Sequence, residues 1–369
     1  MPADGAVDLL ARTVRGVEWI AAAEIHGRLG TEATAVAHRE VRFRLDRLDP
    51  ATLELGTVDD VFLVVGEAPA VGHTRDQLAR IADAAAGCAV EPGLALLRPL
   101  RAILGVPSFD VTATFLGKRN FNRFEVEDAA GAAIARCSGW LYRSRTAGKP
   151  APTAVTVRVH LDAERTVLAL RVGAAPLHRR PYRESSRSAS LRPPVARCLG
   201  LLAGLGNGVA LLDPFCGAGT IPIEAALAEP GVVASGSDAE PEVVELARAN
   251  VAAAGVQAAF DVADAAALDR PDGSVDRLAT NPPWGDAVEP VGSLASAWRE
   301  ARRVLRDGGR AAIVAPGEIV DGAARALGSP PVLRQAVRIL GKPAEIAVLA
   351  EDEGFAGSGL YGAELDRAR

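Results

Sequence analysis

At 369 residues the chain is too long for one ordinary hydrophobic core, so two or three domains are expected. Hydrophobic residues make up 49%, much of it alanine, which inflates any propensity-based reading of helix. The four cysteines, Cys88, Cys137, Cys198 and Cys216, form no CxxC pair and no Cys/His cluster, which argues against a structural zinc or any metal, and further against a disulfide framework. The net charge of −5 hides an asymmetry: residues 201–369 carry 14 Lys/Arg and 24 Asp/Glu, whereas residues 98–197 carry 18 and 7. A concentrated basic segment fits a polyanionic partner that touches one region of the molecule.

In chain order, the start MPADGAVDLL lacks a basic n-region and an apolar h-region, so no secretion signal is expected. A strand is predicted at Ala11–Val17 and a helix at Glu18–Leu29. Arg39–Leu45 alternates, Asp59–Gly66 is apolar, and 75–87 has helical spacing. A strand at 108–117 precedes a helix at Val126–Ser138, and strands at 154–162 and 165–172 face each other across a short turn. This half reads as an α+β module, or two small ones in tandem. The stretch 174–196 is polar, basic and Pro-rich, the composition of a connector. The most apolar run, 198–212, is broken by glycines and Asn207 and is too short to span a bilayer, so a cytoplasmic protein with no membrane contact is expected; a monomer is expected as well.

The second half alternates. Strands are predicted at Val209–Leu212, Val232–Ser237, Ala259–Val262, Val275–Thr280 and Arg310–Val314, with helices at Ile221–Leu227, 242–255 and 294–309. Two further strands flank Gly341-Lys342-Pro343. Strand–helix alternation implies α/β architecture, a parallel sheet covered on both faces, and the closing hairpin adds an antiparallel edge.

The segment 211-LLDPFCGAGT-220 is a strand end running through a Gly-rich turn into a helix. Its glycines let backbone approach a ligand, and the helix start offers free N–H groups. The spacing is neither that of a dinucleotide fingerprint nor that of a phosphate loop. An Asp before such a loop suits a ligand carrying an ammonium group. Asp238 and Asp264 end the next two strands, where a carboxylate meets ribose hydroxyls and an acceptor meets an adenine amine. Each acid alone is more often a helix N-cap; three at consecutive strand ends point to one crevice.

The fourth strand runs into 281-NPPWG-285. The oxygen of Asn281 and the carbonyl of Pro282 are two acceptors for a planar NH2, whose lone pair is otherwise delocalised. Such acceptors favour the pyramidal amine of a transition state. Pro282 and Pro283 stiffen the loop, and Trp284 offers a flat face for an extruded base. Trp298 lies on a helical face and reads as packing.

Together 213-DPFCGAGT-220 and 281-NPPWG-285 resemble the S-adenosylmethionine-dependent amino methyltransferases of the Rossmann-like class. The segments 13-TVRGVEWIAAAEI-25, 118-KRNFNRFEVEDAAGAAI-134, 176-PLHRRPYR-183 and 191-LRPPVA-196 are similar to the THUMP-domain RNA guanine-N2 methyltransferases. The resemblance implies a ferredoxin-like domain at 1–70, a THUMP-like RNA-binding domain at 71–175, a basic linker at 176–195, a Rossmann-like class I methyltransferase domain at 196–350 and a loose tail at 351–369. It implies S-adenosylmethionine as cofactor. Asp213, Gly217 and Gly219 would hold its methionine part, Asp238 the ribose and Asp264 the adenine, and Pro214, Cys216, Thr220 and Asn281 would also contact the cofactor. Asn281, Pro282, Pro283 and Trp284 would hold the guanine amine; the family usually has Tyr or Phe in place of Trp284. The partner it implies is RNA, tRNA first.

Lys118, Arg119, His178, Arg179, Arg180, Tyr182, Arg183, Arg187 and Arg192 are candidates for RNA contact, or else solvated linker charges. Ribosomal RNA methylation, glutamine N5-methylation of protein and adenine-N6 methylation of DNA use the same planar amine and stay open. So does an RNA-binding protein with a decayed catalytic fold, against which the intact Asp213–Gly219 loop and Asn281 argue.

Overall fold

The computed structural model describes residues 6–146, 148, 151–183, 191–284 and 294–351. The N-terminal half runs β1 (Val7–Thr13), α1 (Glu18–Leu29), β2 (Ala33–Ala37), β3 (Glu40–Leu45), β4 (Val58–Pro69), α2 (Leu78–Ala86), α3 (Val90–Leu97), β5 (Ser108–Phe115), α4 (Arg123–Ser138), β6 (Leu141–Tyr142), β7 (Val155–Leu161) and β8 (Arg165–Arg171). All eight strands lie in one sheet, ordered β2-β3-β1-β4-β8-β7-β5-β6. The twelve-residue β4 joins the two parts, pairing antiparallel with β1 on one side and β8 on the other. Alternation then sorts the side chains. Leu9, Phe43, Leu63, Val111 and Leu170 belong to one large buried core. Leu10, Phe62, Val167 and Ala169 make a thin layer on the other face, with the Arg158 and Arg171 guanidinium groups 5.3 and 5.7 Å from the Phe62 ring centre.

The C-terminal half continues with α5 (Pro193–Ala203), β9 (Ala210–Asp213), α6 (Thr220–Ala228), β10 (Val233–Asp238), α7 (Pro241–Ala254), β11 (Ala258–Val262), β12 (Val275–Thr280), α8 (Leu294–Val304), β13 (Leu305–Ala315), α9 (Gly317–Leu327), β14 (Pro331–Ile339) and β15 (Lys342–Leu349). The second sheet is ordered β11-β10-β9-β12-β13-β15-β14. The first five strands are parallel, and β15 inserts antiparallel between β13 and β14. This is a Rossmann-like sheet. Strand order reverses between β9 and β12, which opens a crevice beyond their carboxyl ends.

Three expectations shift. The first strand spans Val7–Thr13 rather than Ala11–Val17, because Val14–Val17 is a turn in which Gly16 takes φ +95°. The helix from Leu294 stops at Val304, and Leu305 already pairs with Val275 as strand. The connector expected at 174–196 gives way to helix α5 at Pro193, and α5 runs on into the apolar stretch at 198–212. This helix has Pro193 and Pro194 in its first turn, is ended by Gly204 in the left-handed region, and is buried along its whole length.

The two halves share a core. Val14, Val17, Ile20 and Ala23 pack with α5 and with Leu333 and Val337 of β14. Backbones come close there: a Cβ on Gly16 would lie 2.4 Å from the Ala336 carbonyl oxygen. Among the described residues, no helix is long and apolar enough to cross a membrane, and no group of His, Cys, Asp and Glu is placed to hold a metal.

Candidate active site

Asp213 ends β9 and is fully buried. Its Oδ1 accepts from the Thr280 hydroxyl at 2.6 Å and from Phe215 N–H at 3.1 Å. Burial pushes its carboxyl up to about 7, helped by the nearby Asp238 charge and opposed by the two donors.

The loop that follows is tied to β10. Cys216 N–H donates to the Ser237 carbonyl at 2.9 Å, and Gly217 N–H donates to Asp238 Oδ2 at 3.0 Å. This close approach needs glycine opposite: a Cβ on Gly236 would lie 2.5 Å from Cys216 Cβ. Gly219 caps α6 at φ +78°, where a Cβ would also lie 2.7 Å from Phe260 Cζ. Gly217, at φ +52°, faces open space instead, with nothing within 4 Å of where its Cβ would be. Pro214, at the start of the loop, and Thr220, the first residue of α6, are buried.

Asp238 Oδ1 accepts from Glu240 N–H at 3.1 Å. Asp264 is exposed beyond β11 and accepts from Ala266 N–H at 2.9 Å, while Ala263 N–H donates to the Asp238 carbonyl at 3.0 Å. Asp213, Asp238 and Asp264 therefore line one edge, at the ends of adjacent parallel strands.

Asn281–Trp284 leaves β12, the neighbour of β9 on the far side of the reversal. Trp284 is partly buried and packs against the cores on both faces of the sheet. Its indole N–H donates to Asn281 Oδ1 at 3.0 Å, which fixes the amide and leaves that oxygen a second lone pair. Pro282 is buried and Pro283 half-buried. Gly285 lies outside the described residues. Trp298 is buried against Phe215, edge to face at 6.1 Å between ring centres, so it packs under the loop.

The cationic candidates divide. Lys118 and Arg179 are exposed and Arg183 is half-buried. Arg192 donates to Asp59 Oδ1 at 2.7 Å and stays partly open. Arg119 donates to the carbonyls of Val71, Gly72 and Asp162 at 2.8, 3.0 and 3.4 Å, joining three segments. His178 lies against the Asp59 carbonyl, 3.2 Å from Nδ1. Arg187 lies outside the described residues.

Arg180 and Tyr182 require correction. Both are turned inward onto Glu224 of α6, which is fully buried. Arg180 donates to the two Glu224 oxygens at 2.8 and 3.1 Å and to the Gly56 carbonyl at 2.7 Å, and Tyr182 O–H donates to Glu224 Oε1 at 2.9 Å. Arg197 of α5 stands 3.4 Å from Glu224 and 3.9 Å from Glu24, whose oxygens accept from the Gly56 and Thr57 backbones. These side chains join the halves of the molecule and are not presented to solvent. The sequence signal for this was the acid inside an apolar helix, Glu224 among Ile221, Ile223, Ala225 and Ala226. Thr280 was also missed; its signal was its place between an apolar strand and Asn281.

Residues 180–322 match the RMKL-like methyltransferase domain family (UPF0020). The chain is 32% identical over 313 residues to the tRNA (guanine(6)-N2)-methyltransferase of Thermus thermophilus, covering 83% of this chain and 88% of that one. It is 37% identical over 145 residues to the tRNA (guanine(10)-N2)-dimethyltransferase of Methanothermobacter thermautotrophicus, covering 38% of this chain and 41% of the other. The crystal structure of TrmN from Thermus thermophilus superposes with a TM-score of 0.73 at 28% identity, over 93% of this chain and 99% of that one.

Proposed function

Since the chain belongs to the tRNA (guanine-N2)-methyltransferase family, we propose that it moves a methyl group from S-adenosylmethionine to the exocyclic N2 amine of a guanosine in tRNA. The observation that carries this reading is the juxtaposition of two loops at the strand reversal. The Gly-rich loop after β9 and the Asn-Pro-Pro-Trp loop after β12 are joined by the Thr280–Asp213 hydrogen bond. Cofactor and amine acceptors therefore share one crevice.

The residues present fit the cofactor. The buried Asp213 carboxylate suits an ammonium group, and the open side of Gly217 leaves room for backbone-close contact. In this reading Gly217 and Gly219 flank the methionine part, with Pro214, Cys216 and Thr220 shaping the loop. Asp238 takes the ribose hydroxyls and Asp264 the adenine amine. When bound, the cofactor supplies a methyl group on a positively charged sulfur. Asn281 Oδ1 and the Pro282 carbonyl accept from the guanine NH2, so its nitrogen lone pair turns toward that methyl. Pro283 keeps the loop stiff, and Trp284 offers the base a ring face. The proton leaves after transfer from a now cationic amine, so no general base is required of the chain.

The eight-stranded module, with its THUMP-like segment, would receive the tRNA through Lys118, Arg179, Arg183 and Arg192. The test is transfer from labelled S-adenosylmethionine to unmodified tRNA and rRNA transcripts in parallel, with digestion to nucleosides and identification by mass. N2-methylguanosine in tRNA is expected. Asn281→Ala should lower the rate about 10²–10³-fold, as losing one preorganised polar group at a reacting centre does, while cofactor affinity holds. Label in rRNA alone would move the substrate. No nucleoside label, with cofactor bound, would sink the RNA reading.

A further inference from the structure

Parallel pairing of β9 and β12 sets Leu212 beside Leu278, so the two strand ends, Asp213 and Thr280, emerge together. Both are buried, at 1% and 0% exposure. The 2.6 Å separation of Thr280 Oγ1 and Asp213 Oδ1 lies in the range of a hydroxyl donating to an ionised carboxylate. The same oxygen accepts from Phe215 N–H, at the start of the Gly-rich loop. We propose that Thr280 is a positioning residue for cofactor binding: from the strand that carries the amine clamp, its hydroxyl holds Asp213 as the ionised partner of an ammonium group. This rests on the function proposed above.

The surroundings show why such a donor is needed. Burial and the Asp238 carboxylate both favour the neutral form of Asp213, and the Cys216 thiol, itself driven upward by burial and by these two acids, stays neutral. Thr280 and Phe215 are the groups that favour the charged form. A protonated Asp213 would offer a ligand ammonium no charge, and its remaining carbonyl oxygen would accept more weakly from the Thr280 hydroxyl. Affinity for an ammonium ligand should therefore rise with pH through the Asp213 pKa and level off above it. Removing one donor raises that pKa, so the midpoint must move to higher pH.

The experiment is calorimetric binding of S-adenosylhomocysteine from pH 6 to 9 to the full chain and to Thr280→Val and Thr280→Ser. 5′-Methylthioadenosine, which lacks the ammonium and carboxylate, is the second probe. For Thr280→Val, homocysteine-ligand affinity should fall about fivefold near pH 7, approach a tenfold loss toward pH 6 and recover to within about threefold at pH 9, the consequence of a midpoint moved by about one unit. Thr280→Ser should follow the wild type, and methylthioadenosine should bind all three alike. Equal loss of both ligands at every pH would reduce Thr280 to a structural role and overturn the proposal. A pH profile unchanged in Thr280→Val would overturn it too, leaving the function intact. A wild-type chain that binds methylthioadenosine and S-adenosylhomocysteine at no pH would overturn the function and this inference together.

Discussion

Two charged regions of the molecule are built in opposite ways. At the ends of β9, β10 and β11, Asp213, Asp238 and Asp264 accept only from backbone N–H groups and a neutral hydroxyl; no ion pair reaches them among the described residues. At the junction of the two halves, the inward-turned Arg180 and Arg197 face Glu224. Acidic charge left unmatched by the chain is available to a cationic or hydroxyl-bearing ligand. Basic charge already matched inside the chain serves the fold. The same residue type, arginine in a basic linker, can therefore fall on either side of the divide, and its partners decide which.

The largest expected effect breaks the matched side. Glu224→Ala leaves two guanidinium groups and a phenol facing a buried void. Removing one partner of a buried charge pair costs about 3–5 kcal/mol, to be read from urea denaturation followed by circular dichroism. An unchanged midpoint would mean that the junction arginines are open to solvent in solution, and the contrast would collapse. A smaller effect sharpens the crevice side. Trp284→Phe keeps a ring face and removes the indole N–H that fixes Asn281. Losing one such bond, about 0.5–1.5 kcal/mol, should lower the rate of transfer roughly threefold to tenfold with S-adenosylhomocysteine affinity unchanged. A rate equal to wild type would show that the two prolines alone orient the amide.

These differences explain what could be read in advance. The crevice was legible because in a parallel sheet each ligand-facing position directly follows its strand, so 213, 238, 264 and 281 are each found by locating a strand end. The helix at Glu18–Leu29 was legible because its spacing is apolar on one side and Gly30 stops it in the left-handed region. Helix α5 was not, since every residue in it, Arg197 included, is buried, and a segment covered on all sides shows no amphipathic period to detect. The single eight-stranded sheet was not either, because pairing of β4 with β8 joins residues a hundred apart, and strand partners leave no mark on alternation. The inward turn of Arg180 and Tyr182 depends on Glu224, forty-two residues from the tyrosine, and no local pattern reports it.

The last prediction isolates the unmatched cations. Arg179 is exposed one position before Arg180, whose side chain is turned inward onto Glu224, so the two form a pair with the same charge, the same neighbourhood and opposite surroundings. The Arg179 N–H donates to the Pro176 carbonyl at 3.0 Å, and among the described residues its side chain has no hydrogen bond or ion pair. Arg179→Ala should therefore leave urea stability unchanged, because an exposed side chain away from packing contributes little. If it neutralises a tRNA phosphate, affinity falls a few-fold and the slope of log affinity against log salt drops by about one. If it does not, both stay at wild-type values, and the phosphate contacts belong to Lys118, Arg183 and Arg192. Arg180→Met inverts the pattern, lowering stability while leaving the salt slope alone, because its charge is already compensated by Glu224 in the free protein. A salt slope that changed equally in both variants would show that burial at the junction does not separate structural from RNA-facing arginines.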